Sequence, residues 1–69
     1  MALAKRSFSL SGHRTSVALE SEFWAVLEGE AKQQGLSMAA FVARIDAARA
    51  ERPLASALRL AALAATRRS

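Results

Sequence analysis

The stretch HRTSVALE, residues 13–20, decides the fold that we predict for this chain. Two sets of residues alternate along it, Thr15, Val17 and Leu19 on one face and Arg14, Ser16 and Ala18 on the other. This period of two is typical of a half-buried β-strand. Because the chain after it has helical patterns, this strand would leave its backbone N–H and C=O groups unpaired. We therefore expect a second copy of the strand to pair with it in a homodimer that shares a two-stranded ribbon.

The length and composition of the chain also favour a homodimer. A domain of 69 residues usually needs disulfides, a metal ion or oligomerisation to supplement its small core. The chain has no cysteine, and its one histidine, His13, cannot build a zinc site alone. Oligomerisation is the remaining option, and we expect no metal and no cofactor.

The opening MALAKRSFSL is a poor signal peptide, because it lacks a long apolar core followed by a cleavage site. No apolar run in the sequence approaches the length that spans a bilayer. We expect a cytoplasmic protein without a membrane partner.

The net charge of +4 is unevenly distributed. Residues 1–19 and 52–69 carry basic side chains and no acid, whereas all six acidic residues lie between positions 20 and 51. A basic strand and a basic tail suit an anionic partner, for which nucleic acid is the most common candidate. Ordinary solubilising charge explains the same pattern equally well.

A first helix is predicted from Glu20 and Ser21 to about Gln34, with acidic residues in its first turn. Gly35 is expected to end it, since glycine readily adopts the left-handed conformation that follows a last helical turn. The apolar residues at helical spacing are Phe23, Trp24, Leu27 and Ala31.

A second helix is predicted with Ser37 as its N-cap, and it ends near residues 49–52 because Pro53 disfavours helix in the residue before it. Its apolar stripe consists of Met38, Phe41, Val42, Ile45 and Ala48. A third helix with a broad apolar face is predicted over residues 53–69, PLASALRLAALAATRRS. This helix either packs back on the dimer, joins dimers into a higher oligomer, or binds a partner protein.

Strand, helix, the short turn QQGLS and a second helix, over about residues 13–50, resemble the ribbon-helix-helix (MetJ/Arc-type) family of bacterial DNA-binding proteins. The wording KRSFSLSGHRTSVALESEFW is similar to a small bacterial subfamily of such domains. The resemblance implies a mainly α fold with one β-strand and a β-α-α intertwined homodimer. Its intermolecular two-stranded antiparallel ribbon would enter the major groove of double-stranded DNA. It divides the chain into an arm or short extra strand (residues 1–12), the ribbon-helix-helix domain (13–52) and a C-terminal helix (53–69).

The resemblance also implies site residues. Arg14, Ser16 and Ala18 occupy the positions that contact bases, although Ala18 can offer only apolar contact. At Ser37, the free backbone N–H groups of the N-terminus of the second helix would contact a DNA phosphate, or Ser37 would be an N-cap alone. Apart from the resemblance, we expect His13 at the edge of the strand near a phosphate. Lys5 and Arg6 would contact phosphates if residues 1–12 form an arm. The predicted dimer core consists of Val17, Leu19, Phe23, Trp24, Leu27, Phe41, Val42 and Ile45.

The function implied is that of a dimeric DNA-binding protein that acts as a transcriptional repressor. One alternative is an antitoxin whose C-terminal helix binds a toxin, and another is an assembly module with this fold that does not read DNA. The sequence contains no nucleophile–base pair, paired carboxylate constellation or glycine-rich phosphate loop, so we do not expect an enzyme.

Overall fold

The computed structural model describes residues 2–67, which form a mostly helical small domain with one β-hairpin and three helices. The elements are β1 (Leu3–Leu10), β2 (His13–Glu20), α1 (Ser21–Gln33), α2 (Met38–Ala48) and α3 (Leu54–Arg67). Residues 68 and 69, which belong to the predicted third helix, lie outside the described part of the chain. Within residues 2–67, no helix is both long and apolar enough to cross a bilayer.

The strand at residues 13–20 has its partner in the same chain. β1 pairs antiparallel with β2, from Leu3 opposite Glu20 to Leu10 opposite His13. The prediction of a single strand was therefore wrong, and the two-stranded ribbon is intramolecular. Of the two alternatives for residues 1–12, the short extra strand is the correct one.

A two-residue turn explains why the hairpin closes within one chain. Ser11 and Gly12 connect the strands with φ angles of +51° and +81°. Two consecutive positive φ angles are the requirement of a type I′ turn, whose twist matches that of the strands on either side. Gly12 adopts its angle without strain, whereas serine does so less readily.

The inward face of the hairpin packs against the three helices to form one hydrophobic core. Val17 and Leu19 are buried and Thr15 is half-buried, as the alternation predicted. Each large apolar side chain that is fully buried contributes about 1.5–3 kcal/mol to stability. The buried residues of the core are Phe8, Leu10, Val17, Leu19, Trp24, Leu27, Ala31, Phe41, Val42, Ala57, Leu58 and Ala62.

The residues predicted as a dimer core are thus covered largely by their own chain. Six of them are buried in the single chain, and Phe23 and Ile45 are half-buried. α3 supplies Leu58 and Ala62, which are 0% and 1% exposed. α3 therefore packs on the domain of its own chain, whereas the three roles that involve a dimer or a partner protein stay predictions.

The end of α1 is determined by hydrogen bonds among neighbouring residues and by a glycine that follows the helix. The Leu36 N–H donates to the Ala31 carbonyl at 2.9 Å and the Gly35 N–H to the Lys32 carbonyl at 3.1 Å, which is the hydrogen-bond pattern of a Schellman motif. Gly35 has a φ angle of +70°, as its position after α1 requires. The predicted end of α1 is confirmed.

Candidate nucleic-acid interface

The hairpin has an outward face that is turned away from the helices. Along both strands, exposed residues alternate with residues that pack into the core. In the cross-strand register Ser9 lies opposite Arg14, Ser7 opposite Ser16, and Lys5 opposite Ala18. We call these six residues the outward face. Ala18 is half-buried, and the other five are exposed.

Hydroxyl groups occupy the centre of the outward face. The Oγ atoms of Ser7 and Ser16 lie 2.8 Å apart across the two strands and form a hydrogen bond in which either can be the donor. Arg14 lies on the turn side of this pair and Lys5 on the other side. The face therefore presents two cations around a row of groups that can both donate and accept hydrogen bonds.

The structure brings together the predicted residues Arg14, Ser16 and Ala18, and it adds Lys5 to the same face. Ser7 and Ser9 were not predicted as site residues. The signal was present, since both serines alternate with Phe8 and Leu10. That alternation assigns a face only when the segment is known to be a strand.

Arg6 lies on the opposite side of the hairpin from Lys5. Its Nη1 atom donates to Oε2 of Glu28 at 2.6 Å, and its guanidinium carbon lies 5.0 Å from the centroid of the Trp24 ring. The Trp24 indole N–H in turn donates to the carbonyl oxygen of Ala4 at 2.7 Å. These contacts join β1 to α1, so Arg6 holds the hairpin to the helices and is not part of the outward face.

The other two predicted contact residues also lie apart from the outward face. His13 is exposed beside the turn, but its register partner is the buried Leu10, so it occupies an inward position of β2. Ser37 is exposed at the start of α2, where its Oγ atom accepts the backbone N–H of Ala40 at 3.1 Å. Its predicted role as an N-cap is confirmed, whereas its role at a phosphate stays a prediction.

The hairpin itself contains one acidic residue, at its end. No acidic residue lies among residues 2–19, and Glu20 lies at the end of β2 farthest from the turn. A backbone hydrogen bond lowers the pKa of the Glu20 carboxyl, and the Arg59 guanidinium beside it acts in the same direction. The Arg59 Nε atom donates to Glu20 Oε1 at 3.3 Å. The negative charge at this end of β2 is therefore compensated by a cation of α3.

Comparison with known families decides the classification. The family model described as the ribbon-helix-helix domain matches residues 3–66, a span that includes β1 and all but the last residue of α3. The chain belongs to the ribbon-helix-helix domain family. Families of this domain are typically DNA-binding and generally non-enzymatic. No curated protein and no solved structure matches the chain.

Proposed function

We propose that this ribbon-helix-helix protein is a homodimeric DNA-binding protein that represses transcription and reads the major groove with the outward face. The observation that carries the proposal is the composition of that face: Lys5 and Arg14 flank a row of serine hydroxyls, with no acid among residues 2–19. Reading chromosomal DNA in a bacterium requires a cytoplasmic location, which is part of the proposal.

The dimensions of the hairpin support this mode of binding. The B-DNA major groove is about 12 Å wide and accepts a two-stranded β-ribbon. Neighbouring strands lie about 4.8 Å apart, so a hairpin is narrow enough to enter. The hairpin of each chain forms a complete ribbon by itself. Two copies of the protein would then present two hairpins to two half-sites of an operator.

Each residue of the outward face has a chemistry suited to one part of the duplex. The Arg14 guanidinium has the fork geometry that donates to both O6 and N7 of guanine. Lys5, a single charged group, suits a backbone phosphate. The Ser7 and Ser16 hydroxyls fit several base edges, and Ala18 fits a thymine methyl group. Phosphate contact by the N-terminus of α2 at Ser37 would add affinity without sequence information.

The experiment starts from selection of a preferred sequence out of random duplexes at low salt. The affinity of that duplex is then measured by fluorescence anisotropy for the wild type, Arg14→Ala and Arg44→Ala. Arg44 lies on α2 and is exposed, so its replacement removes the same charge from another element. We expect Arg14→Ala to weaken binding by about 1–3 kcal/mol, roughly 5- to 150-fold, and Arg44→Ala to change it little.

Two results would overturn the proposal: absence of binding at low salt, or equal losses from the two arginine variants. A salt series adds an independent check, because removal of a phosphate contact lowers the slope of log K against log salt by about one. We expect that reduction for Lys5→Ala and not for Lys32→Ala. Lys32 is an exposed residue of α1, so its replacement by alanine removes the same charge from another element.

One observation favours a second candidate function, in which the domain binds a protein partner. Leu60 and Leu63 on α3 are 44% and 45% exposed. Exposed leucines on a docked helix suit an assembly module, or an antitoxin whose C-terminal helix binds a toxin. In either case, replacing Leu60 and Leu63 would abolish binding of the partner protein and leave DNA binding unchanged.

A further inference from the structure

One tryptophan of α1 contacts three inward positions of β1. The Trp24 indole N–H donates to the Ala4 carbonyl oxygen at 2.7 Å, and the guanidinium carbon of Arg6 lies 5.0 Å from the centroid of the indole ring. The Phe8 ring packs against the same indole, with 6.0 Å between the ring centroids. These three positions alternate with the outward residues of β1, so the contacts fix the distance and the rotation of this strand relative to α1.

Glu28 completes this arrangement from the next turn of α1. Its Oε2 atom accepts a hydrogen bond from Arg6 Nη1 at 2.6 Å, so Arg6 contacts a carboxylate and an indole ring of the same helix. Trp24 and Glu28 are four residues apart, which places them on the same side of α1. We call Arg6, Trp24 and Glu28 the Trp24 cluster.

The ion pair of the Trp24 cluster contributes little to the stability of the domain. The side chains of Arg6 and Glu28 are 37% and 49% exposed. An ion pair this open to solvent is screened by water and salt, and a cation–π contact at an exposed site is also weak. The position that the pair gives to β1 is therefore its more important effect.

β1 depends on such contacts more than β2 does. β2 continues directly into α1, because Ser21 follows Glu20. β1 is linked to α1 through the turn and β2, and an isolated two-stranded hairpin is marginally stable in water. Arg6 lies between the outward residues Lys5 and Ser7, and successive side chains of a strand point to opposite faces. Holding Arg6 on the inward side therefore holds Lys5 and Ser7 on the outward side.

We propose that Arg6 is a positioning residue for the outward face, and that Glu28 strengthens DNA binding by holding Arg6. This inference rests on the DNA binding of the proposed function and adds two residues that do not touch the duplex. The charge of Glu28 alone opposes a polyanion. Its removal, however, releases Arg6 and loosens β1. Positioning and charge therefore predict opposite effects of Glu28→Gln on affinity.

The experiment measures affinity for the duplex selected with the wild type, by fluorescence anisotropy in about 0.1 M salt. Glu28→Gln is compared with Glu22→Gln, which removes the same charge from an exposed position of the same helix. We expect Glu28→Gln to bind at least about threefold more weakly than the wild type, because complete loss of one phosphate contact costs up to about tenfold at this salt concentration. Glu22→Gln should bind equally well or slightly more tightly, as charge alone predicts.

Variants of Arg6 and of the outward face identify the residues through which Glu28 acts. Arg6→Gln should weaken binding at least as much as Glu28→Gln, whereas Arg6→Lys should restore most of the affinity, because lysine retains a cation beside the carboxylate and the indole ring. In a Lys5→Ala/Ser7→Ala background, Glu28→Gln should change affinity by less than about twofold. In an Arg14→Ala background it should keep its full effect, because Arg14 lies on β2 near the turn.

A spectroscopic readout on the free protein separates positioning from a loss of stability. Affinities are corrected for the folded fraction, which circular dichroism measures at the temperature of the titration. In the ¹⁵N spectrum of Glu28→Gln, we expect changed shifts for the Trp24 indole N–H and for the amides of Lys5 and Ser7. A residue that contributed only stability would lower the urea midpoint and leave the corrected affinity unchanged.

The possible outcomes distinguish this inference from the proposed function. Equal or tighter binding by Glu28→Gln refutes the inference and leaves DNA binding by the outward face standing. A loss that persists undiminished in the Lys5→Ala/Ser7→Ala background refutes it as well, because Glu28 would then act through other residues. Absence of binding by the wild type at low salt refutes the proposed function itself.

Discussion

Replacing one buried leucine of α3 tests whether this helix completes the core of a single chain. Leu58 is 0% exposed, whereas Leu60, two residues later on the same helix, is 44% exposed. The change from leucine to alanine removes the same atoms at both positions. In a core it leaves a cavity as well as losing transfer free energy, and the cost is about 2–5 kcal/mol. At an exposed position the change costs about 0.5 kcal/mol or less.

The expected loss at Leu58 is large for a domain of this size. Stabilities of about 0.05–0.15 kcal/mol per residue correspond to roughly 3.5–10 kcal/mol for 69 residues. Leu58→Ala should therefore lower the free energy of unfolding by about a fifth or more, or leave the chain largely unfolded at 25 °C. The corresponding shift in Tm is about 4–8 °C for each kcal/mol.

The assay is urea unfolding followed by circular dichroism, with both variants at concentrations too low for self-association. We expect the urea midpoint of Leu58→Ala to fall far below that of Leu60→Ala. Equal midpoints for the two variants would refute the reasoning, because they would mean that α3 does not pack into the core in solution.

Three further changes test the turn, the helix cap and the charge of the domain. Ser11→Asn should raise the free energy of unfolding by up to about 1 kcal/mol, because asparagine tolerates the positive φ of a type I′ turn better than serine; urea unfolding measures it, and a loss would contradict the turn assignment. Ser37→Ala should cost about 0.5–2 kcal/mol by removing the N-cap, whereas Ser37→Asp should retain most of the stability; equal losses would argue against capping. The lowered pKa of Glu20 means that its carboxylate stabilises the fold above its ordinary pKa of 4.5. That contribution is lost as the pH falls through the folded-state pKa. Glu20→Gln should therefore reduce the decline in urea midpoint below about pH 4.5, and an unchanged decline would remove Glu20 as a cause.

Local chemistry made the helices predictable. Gly35 and Ser37 predict the end of α1 and the start of α2, because their conformations and hydrogen bonds involve only neighbouring residues. The hairpin turn was less clear. Asparagine followed by glycine is the strong signal for a type I′ turn, whereas Ser11 adopts an angle that serine rarely takes. The sequence analysis therefore left β1 open between an arm and a strand.

Periodicity predicted which residues are buried and not which chain covers them. Val17, Leu19 and Trp24 were expected in a dimer core, and they are buried in one chain. The missing cover comes from β1 and from Leu58 of α3, which are far apart in the sequence. A pattern of apolar residues contains no information about that choice, because burial by the same chain and burial by a partner have the same physical effect.

The candidate site was partly predictable for a related reason. Alternation along β2 placed Arg14 and Ser16 on one face without knowledge of the rest of the fold. Lys5 joined them, and Arg6 was separated from them, only through the cross-strand register of β1. Adjacent residues of a strand point to opposite faces, so the two basic residues have different roles although they are neighbours in the sequence.

The most direct test of the central claim is an NMR titration of the ¹⁵N-labelled protein with the selected duplex. If the outward face of the hairpin reads DNA, the largest amide shift changes will lie at Lys5, Ser7, Arg14 and Ser16, and they will diminish as salt is raised. Amides of α3 around Leu60 and Leu63 will change little. Shift changes concentrated on α3, or no changes on β1 and β2 at low salt, would contradict the account.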